Sequence, residues 1–192
     1  MLIRTRRFFK RIWVPVIMHV WPLARLWYRA WGLTLDGNPK DHVWYFAFGA
    51  NMHDSAFRER RKMQPMEWRV GRVPGYRLRF NLEGRPKGKA APANISPDEN
   101  AEVWGVLYLI TRCDMIWLNS TEGIPGWRYR PIWLDGEDRS GNPLSVFTYI
   151  ADGFEKDGNP SLRYITLLRD GAQAHGLPQQ WIAHLDSVKH AE

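Results

Sequence analysis

The sequence predicts an α+β domain in which about five strands come before two C-terminal helices. Three observations support this fold class. Short apolar runs of strand length recur between residues 43 and 151, one further segment alternates apolar and polar side chains, and helical spacing is confined mainly to the last 32 residues. With 192 residues, 44% of them hydrophobic and 14% aromatic, the chain has enough apolar side chains to form one core.

The first 41 residues differ in composition from the rest, so we predict an N-terminal arm (1–41) followed by one domain (42–192). Residues 1–40 contain eight Lys or Arg and a single acidic residue, Asp36. The other 152 residues contain 19 basic and 19 acidic side chains. A strong turn signal at 36–39 marks the boundary. Since the body is neutral, it lacks the basic face that nucleic acid would need, and we expect no nucleic-acid partner.

The arm permits two interpretations. Its apolar stretch, residues 12–24, is interrupted by Pro15 and Pro22 and is shorter than the roughly 20 residues of a membrane-spanning helix. Cationic ends with Trp and Tyr between them suit a peripheral membrane contact through residues 1–35. Alternatively, the Trp side chains pack on the body or on a partner subunit. The lone Cys113 cannot form an internal disulfide, so we expect a cytoplasmic protein, at the membrane if the arm binds there.

The strands of the body are predicted from apolar content and alternation. Residues 43–48 form an apolar, aromatic run that is typical of a buried strand. Residues 75–82 alternate, which predicts a half-buried strand with Arg77, Arg79 and Asn81 facing water. Residues 102–110 predict another buried strand, in which Gly105 indicates a close backbone approach. Residues 129–134 and 144–151 predict the last two strands.

Helical segments are predicted between and after these strands. Residues 52–62 are polar and Arg-rich, which indicates a short surface helix, and residues 114–120 indicate a helical turn. Residues 161–175 and 178–188 predict the two C-terminal helices. Gly176 ends the first of them, and Pro178 suits the first turn of the second.

Common catalytic motifs do not occur in the sequence. The six His residues show neither HExxH nor zinc-finger spacing with Cys, so we predict no metal site. The sequence contains no Walker loop, no GxGxxG and no GxSxG. Cys113 follows a predicted strand and is expected to be a buried structural thiol.

Two features could carry chemistry. Residues 48–51, Phe-Gly-Ala-Asn, form a tight turn directly after a buried strand, where backbone N–H groups could hold an anion. The same pattern also suits an ordinary strand-to-helix turn. Glu122 lies among apolar residues, where burial would raise its pKa and suit it to acid/base work. A surface loop glutamate is the alternative.

Taken together and in order, these segments resemble the gamma-glutamylcyclotransferase family (AIG2-like fold). Residues 45–52, YFAFGANM, are similar to the family's YFAYGSNM-type substrate loop. The similarity continues through Gly75-Tyr76-Arg77-Leu78, residues 103–108, Glu122-Gly123 with Tyr129, residues 160–164 and the 171–178 segment. It covers about residues 43–188. Phe48 and Ala50 depart from the family's usual Tyr and Ser, which puts substrate preference in question.

The resemblance implies a mixed, barrel-like sheet with flanking helices and an enzyme that needs no cofactor. A small γ-glutamyl amide would be cleaved when its own α-amine attacks the γ-carbonyl, which releases 5-oxoproline and an amine or amino acid. Glu122 would be the acid/base residue. The expected substrate-binding residues are Tyr45, Phe46, Ala47, Phe48, Gly49, Ala50, Asn51, Tyr164 and Tyr129.

Two other functions remain open at the level of sequence. The protein could be a non-catalytic binding or membrane-associated module that keeps the fold, with the arm as its working part. It could also remove a γ-glutamyl protecting group from a biosynthetic intermediate, by the same chemistry with a different leaving group. The spacing of residues gives neither the leaving group nor the oligomeric state.

Overall fold

Five strands form a closed barrel in the computed structural model, which describes residues 16, 21–30, 36–84, 91–121 and 129–191. The strands are β1 (His42–Ala47), β2 (Glu67–Arg79), β3 (Asn94–Thr111), β4 (Arg130–Asp138) and β5 (Pro143–Ile150). Their order around the barrel is β1-β3-β2-β4-β5, and β5 closes onto β1. The β1–β5 pair is parallel and the others are antiparallel. The predicted single α+β domain with a mixed barrel is therefore confirmed.

The helices of the described residues are α1 (Trp21–Ala30), α2 (Arg112–Thr121), α3 (Leu162–Ala174) and α4 (Gln179–Ser187). Ser161 is the N-cap of α3: its side chain accepts a hydrogen bond from the Tyr164 backbone N–H at 3.2 Å. Within the described ranges, no helix is both long enough and apolar enough to cross a bilayer.

The β2–β3 hairpin is longer than predicted. Strand β2 begins at Glu67 rather than near residue 75, and β3 begins at Asn94 rather than near 102. The extra length comes from pairing: the two strands stay in register from Glu67–Leu109 to Arg79–Asn94, with one irregularity between Pro74 and Tyr76. Tertiary pairing of this kind stabilises polar strand residues that carry no apolar signal.

One prediction about exposure and one about helix type are wrong. Asn81 was expected to face water, but it is buried and accepts a hydrogen bond from Asn94 while donating one to the Phe154 carbonyl. The expected surface helix at 52–62 is instead a 3₁₀ turn (Ala50–Met52) followed by a single π-helical turn (Ser55–Arg60). This segment contributes Phe57 to the core, because the ring stacks on Tyr108 at 4.2 Å between centroids.

Two predictions about single residues are confirmed. A Cβ atom on Gly105 would overlap the Ala47 carbonyl oxygen and contact the Phe46 ring, so β1 and β3 could not approach as closely with any other residue there. Cys113 is buried near the start of α2. The close β1–β3 contact lies at the end of β1 that leads into the 48–51 turn.

Candidate active site

The segment directly after β1 is a tight turn, as the sequence predicts. In it the Met52 N–H donates to the Gly49 carbonyl at 2.9 Å, and the His53 N–H donates to the Ala50 carbonyl at 3.1 Å. The amides of Gly49 and Ala50 come before these bonds, in the first turn, where N–H groups have no carbonyl of the same helix to reach. Such amides can receive an anionic oxygen.

Helix α3 fixes the far side of this turn. A Cβ atom on Gly171 would lie 2.8 Å from the Met52 carbonyl carbon and 2.9 Å from the His53 nitrogen, so helix and turn are in direct backbone contact. Below the turn, the Tyr108 hydroxyl donates to the Met52 carbonyl at 3.4 Å. Burial raises the pKa of Tyr108, which keeps this hydroxyl protonated as a donor.

The Asn51 side chain joins the turn to the barrel interior. Its Nδ2–H donates to the hydroxyl oxygen of Tyr45 at 2.7 Å, and both residues are buried. The Tyr45 ring in turn packs against Phe57 and Phe147, with ring centroids 5.8 and 5.2 Å away. Since Tyr45 is held by its ring and by its hydroxyl, Asn51 has a fixed anchor on the barrel side.

Arg61 joins the same asparagine to the end of α2. Its Nε–H donates to Asn51 Oδ1 at 2.7 Å. Another nitrogen of the guanidinium donates to Thr121 Oγ1 at 2.7 Å and to the Thr121 carbonyl at 3.1 Å. Thr121 is the last residue of α2 and directly precedes Glu122 in sequence. One side chain therefore connects the 48–51 turn to the residue next to the predicted acid/base group.

A second polar pair lies at this end of the barrel. The Tyr149 hydroxyl donates to Asn119 Oδ1, and both side chains are buried. The Tyr149 ring lies 5.8 Å from that of Tyr45, between centroids. Residue 119 of α2 is thereby connected to β5, and α2 is held on two sides close to its C-terminal end.

Tyr164, a predicted substrate-binding residue on α3, lies at the turn. Its hydroxyl oxygen would be 3.2 Å from a Cβ atom on Gly49, and it accepts a hydrogen bond from the Ala93 N–H at 3.1 Å. A glycine at position 49 therefore leaves room for the hydroxyl beside the turn. The structure brings together the turn and Tyr164, which are 115 residues apart in sequence.

The other predicted site residues are placed as follows. The side chains of Phe46 and Ala47 are fully buried in the core, and Phe48 is buried against Phe46. Ala50 and Tyr129 are half-buried and pack against the core. Glu122 lies outside the described residues, and its predicted role stays a prediction.

Arg61, Asn119 and Tyr149 are not among the residues predicted from the sequence. Arg61 belongs to a run with Arg58 and Arg60, and nothing in the pattern distinguishes the one that turns inward. Tyr149 could have been found, because it alternates with the buried Phe147 on the inward face of β5. Asn119 carries no signal of its own, since a polar residue in a short helix is ordinarily exposed.

A cavity of about 440 Å³ lies between the segment that follows β2 and the segment that follows β5. Its lining includes Phe80, Leu82, Phe154 and Lys156, and none of the predicted site residues is among its lining residues. Among the described residues, no group of three or more His, Cys, Asp or Glu side chains is arranged to hold a metal ion.

Comparison with known proteins gives consistent similarities. Residues 102–185 match the model of the AIG2-like family. The chain is 33% identical over 165 residues to the gamma-glutamyl cyclotransferase aclK of Aspergillus oryzae, which covers 74% of this chain and 60% of that protein. It is 26% identical over 151 residues to the gamma-glutamylcyclotransferase of Bos taurus, which covers 76% of this chain and 78% of that protein.

Solved structures share the fold. A structure titled gamma-glutamyl cyclotransferase superposes with a TM-score of 0.72 at 21% identity, over 79% of this chain and 90% of that one. At this identity the superposition establishes the barrel and its flanking helices. The described chain thus has a family match, curated relatives and a structural neighbour that agree with one another.

Proposed function

We propose that the chain is an enzyme of the gamma-glutamylcyclotransferase/AIG2-like family, which cleaves a γ-glutamyl amide into 5-oxoproline and an amine or amino acid. The curated relatives named gamma-glutamylcyclotransferase support this activity. The chain spans 60% of the length of the fungal relative aclK. The observation that carries it is the Asn51–Arg61–Thr121 connection, which brings the substrate turn and the residue before Glu122 to one guanidinium.

The reaction is an internal acyl transfer. The substrate α-amine loses a proton and attacks the γ-carbonyl carbon, which forms a new C–N bond and a five-membered ring. The original amide C–N bond then breaks, and the leaving nitrogen takes up a proton. No water or co-reactant enters the balance. Holding the two ends of the γ-glutamyl chain together contributes most to the rate acceleration, since oriented intramolecular attack lowers the activation barrier by about 7–11 kcal/mol.

Different groups of the protein would bind the substrate and transfer the proton. The backbone N–H groups at Gly49 and Ala50 would receive the substrate carboxylate or the oxyanion of the tetrahedral intermediate. The Tyr164 hydroxyl, beside Gly49, would contact the glutamyl carboxylate. Glu122 would accept the proton from the α-amine and deliver it to the leaving nitrogen. Tyr129 would support Glu122 in this role.

The test is the formation of 5-oxoproline from a panel of γ-glutamyl dipeptides and amines. Wild-type protein should form it, and Glu122→Gln should form none while its far-UV circular dichroism and melting temperature stay unchanged. Glu99→Gln, which makes the same change at an exposed position, is the matched control and should keep full activity. Full turnover by Glu122→Gln would remove Glu122 from the mechanism.

The same panel addresses the leaving group and the non-catalytic alternative. A γ-glutamyl protecting group on a biosynthetic intermediate would be removed by identical chemistry, so preference for bulky conjugates over dipeptides would favour that role. Absence of 5-oxoproline from every substrate would favour a binding module that retains the fold. Phe48 and Ala50, which replace the usual Tyr and Ser, lie where such a preference would be set.

A second proposed property concerns the arm. Helix α1 buries Trp21 and Ala24 in the core cluster, and the Trp21 Nε1–H donates to the Gly37 carbonyl at 3.0 Å. Its other side exposes Leu23 and Leu26, each 63% accessible, and carries Arg25 and Arg29 along the same short helix. Exposed leucines beside cations suit the surface of an anionic membrane, and residues 1–35 would provide this peripheral contact on the cytoplasmic side.

Vesicle co-sedimentation tests the membrane contact. Wild-type protein should bind phosphatidylserine-containing vesicles and lose binding on phosphatidylcholine alone. The double change Leu23→Ser and Leu26→Ser should weaken binding about tenfold or more, since each buried leucine contributes about 1.5–3 kcal/mol. Leu162→Ser, at an exposed leucine of α3, is the control and should change nothing. Equal sedimentation of the wild type and the double variant would exclude this surface.

A further inference from the structure

Arg61 is held through its backbone as well as through its side chain. Besides the three bonds from its guanidinium, its own carbonyl accepts a hydrogen bond from the Trp117 indole N–H at 2.7 Å. Trp117 is a buried residue of α2, the helix that ends at Thr121. The backbone and the side chain of Arg61 thus both attach to α2, and the side chain also reaches Asn51.

The contacts at position 61 require an arginine side chain rather than a lysine. A guanidinium is planar and presents its donors in a fixed fork, so it can hold two acceptors at a fixed angle. Arg61 uses Nε for Asn51 and a terminal nitrogen for Thr121. A lysine ammonium at the same position is a point charge on a flexible stem and would hold one of these acceptors rather than both in fixed geometry.

We propose that Arg61 is a positioning residue that sets the distance between the 48–51 turn and the C-terminal end of α2, the residue directly before Glu122 in sequence, by clamping Asn51 and Thr121 to one guanidinium. This proposal rests on the proposed function, in which the turn holds the substrate and Glu122 moves the proton. Asn51 is anchored on its other side by Tyr45, and α2 is anchored by Asn119. Arg61 therefore lies between two fixed structures and determines their spacing.

The expected effect falls on the chemical step. Displacement of a catalytic group by about 1 Å can lower the rate by roughly 100-fold, although the substrate still binds. Since the turn would hold the substrate through the backbone amides of Gly49 and Ala50, whereas Arg61 bonds to the side chain of Asn51, loss of the clamp should lower kcat far more than it raises KM. A residue that only stabilises the fold would lower the amount of active enzyme and leave the kcat of the folded fraction unchanged.

The experiment compares Arg61→Lys with Arg58→Lys. Arg58 makes an exposed pair with Asp54 at 3.0 Å on the same turn, so its variant carries the same chemical change without touching the clamp. For 5-oxoproline formation, Arg61→Lys should show kcat lowered roughly 10- to 100-fold and KM changed by less than about threefold. Arg58→Lys should match the wild type. Equal kcat in the two variants, or a loss proportional to the unfolded fraction, would overturn the proposal.

Hydrogen exchange separates this proposal from the proposed function. Without substrate, Arg61→Lys should speed amide exchange in residues 49–53 and 117–121 together, and Arg58→Lys should speed neither. Unchanged exchange in both segments would overturn the clamp whatever the activity. If exchange rises but the wild type forms no 5-oxoproline, the clamp stands as a structural connection, and both its role in positioning Glu122 and the proposed function are rejected.

Discussion

Gly171 of α3 lies in backbone contact with Met52, at the end of the 3₁₀ turn that follows β1. This contact exists only because position 171 has no side chain. It places a helix from the C-terminal part of the chain directly behind the segment that the proposed function assigns to substrate binding. The same helix carries Tyr164, whose hydroxyl lies beside Gly49. One helix therefore contributes both the support behind the turn and a polar group beside it.

The first prediction is that Gly171→Ala destabilises the protein. In an open helix interior this change would stabilise by about 1 kcal/mol, because alanine is the better helix former. Here the new Cβ atom would lie within 3.0 Å of Met52 and His53 backbone atoms, so helix or turn must shift. We expect a net loss of about 1–3 kcal/mol in the free energy of unfolding, as for other overpacked sites. Urea denaturation measures it.

The matched control is Gln173→Ala in the same helix, at an exposed position. It introduces the same side chain without the contact and should leave stability unchanged or slightly raised. A Gly171→Ala variant as stable as this control would show that the helix and the turn are not in the contact described.

The second prediction concerns Tyr164→Phe. The change removes the acceptor of the Ala93 N–H, and Ala93 is buried. Leaving a buried amide without its partner costs about 1–3 kcal/mol of stability. If the hydroxyl also contacts the glutamyl carboxylate, KM should rise about tenfold, since a hydrogen bond to a charged group contributes about 1.5–3 kcal/mol. Steady-state kinetics measure KM and thermal unfolding measures stability. An unchanged KM with lowered stability would make Tyr164 purely structural.

Much of the fold could be predicted from apolar patterns alone. The predicted strands at 43–48 and 144–151 match β1 and β5 within one residue, because each is a short, mainly apolar segment with a buried stretch in it. The first halves of β2 and β3 could not, because each is stabilised by pairing with the second half of the other strand: residues 67–74 pair with 102–109, and residues 76–79 pair with 94–97. Arg72 shows the reason: it forms ion pairs with Glu102 of β3 and Glu137 of β4, both at 2.7 Å, and sequence spacing encodes neither.

The candidate site likewise has one part that the sequence predicts and another that it does not. The turn at 48–51 has a local signature and lies where the pattern predicts it. Arg61 contacts Asn51, 10 positions before it, and Thr121, 60 positions after it, and no local sequence pattern predicts either contact. Tyr164 was assigned through the family resemblance, and its position beside Gly49 is consistent with that assignment. Non-local polar contacts are thus the part of this site that only a three-dimensional structure supplies.

The third prediction concerns Ala50, which stands where the family usually has Ser. If the turn works through its backbone, Ala50→Ser should leave stability within about 0.5 kcal/mol and the kcat/KM for a given dipeptide within about threefold, as is usual for half-exposed positions outside a special contact. What should change is the ranking of leaving groups in the substrate panel. A change above tenfold for every substrate alike would show that the side chain itself takes part in the reaction.

The fourth prediction follows from Asp138 at the end of β4. Its carboxylate accepts hydrogen bonds from the Asn142 side-chain amide at 2.9 and 3.1 Å and from the backbone N–H groups of Ser140 and Asn142 at 2.9 and 3.1 Å. These bonds, the one from the Asn142 side chain first, lower the pKa of the Asp138 carboxyl below its ordinary value of 3.8. The charged form is therefore favoured in the folded protein, and the turn between β4 and β5 depends on it.

The sign of the pH dependence follows from this shift. A carboxyl whose pKa is lower in the folded than in the unfolded state stabilises the fold. This stabilisation is complete at pH values above the unfolded-state pKa, and it disappears as the pH falls through the folded-state pKa. Wild-type stability should therefore fall below about pH 4, and Asp138→Asn should be less stable than wild type at pH 7 but approach it at lower pH.

Asp135→Asn, on the exposed side of the same strand, is the control. Urea unfolding at pH 7, 5, 4 and 3 measures both variants. A difference between Asp138→Asn and wild type that stays constant over this range would show that the Asp138 charge does not stabilise the turn.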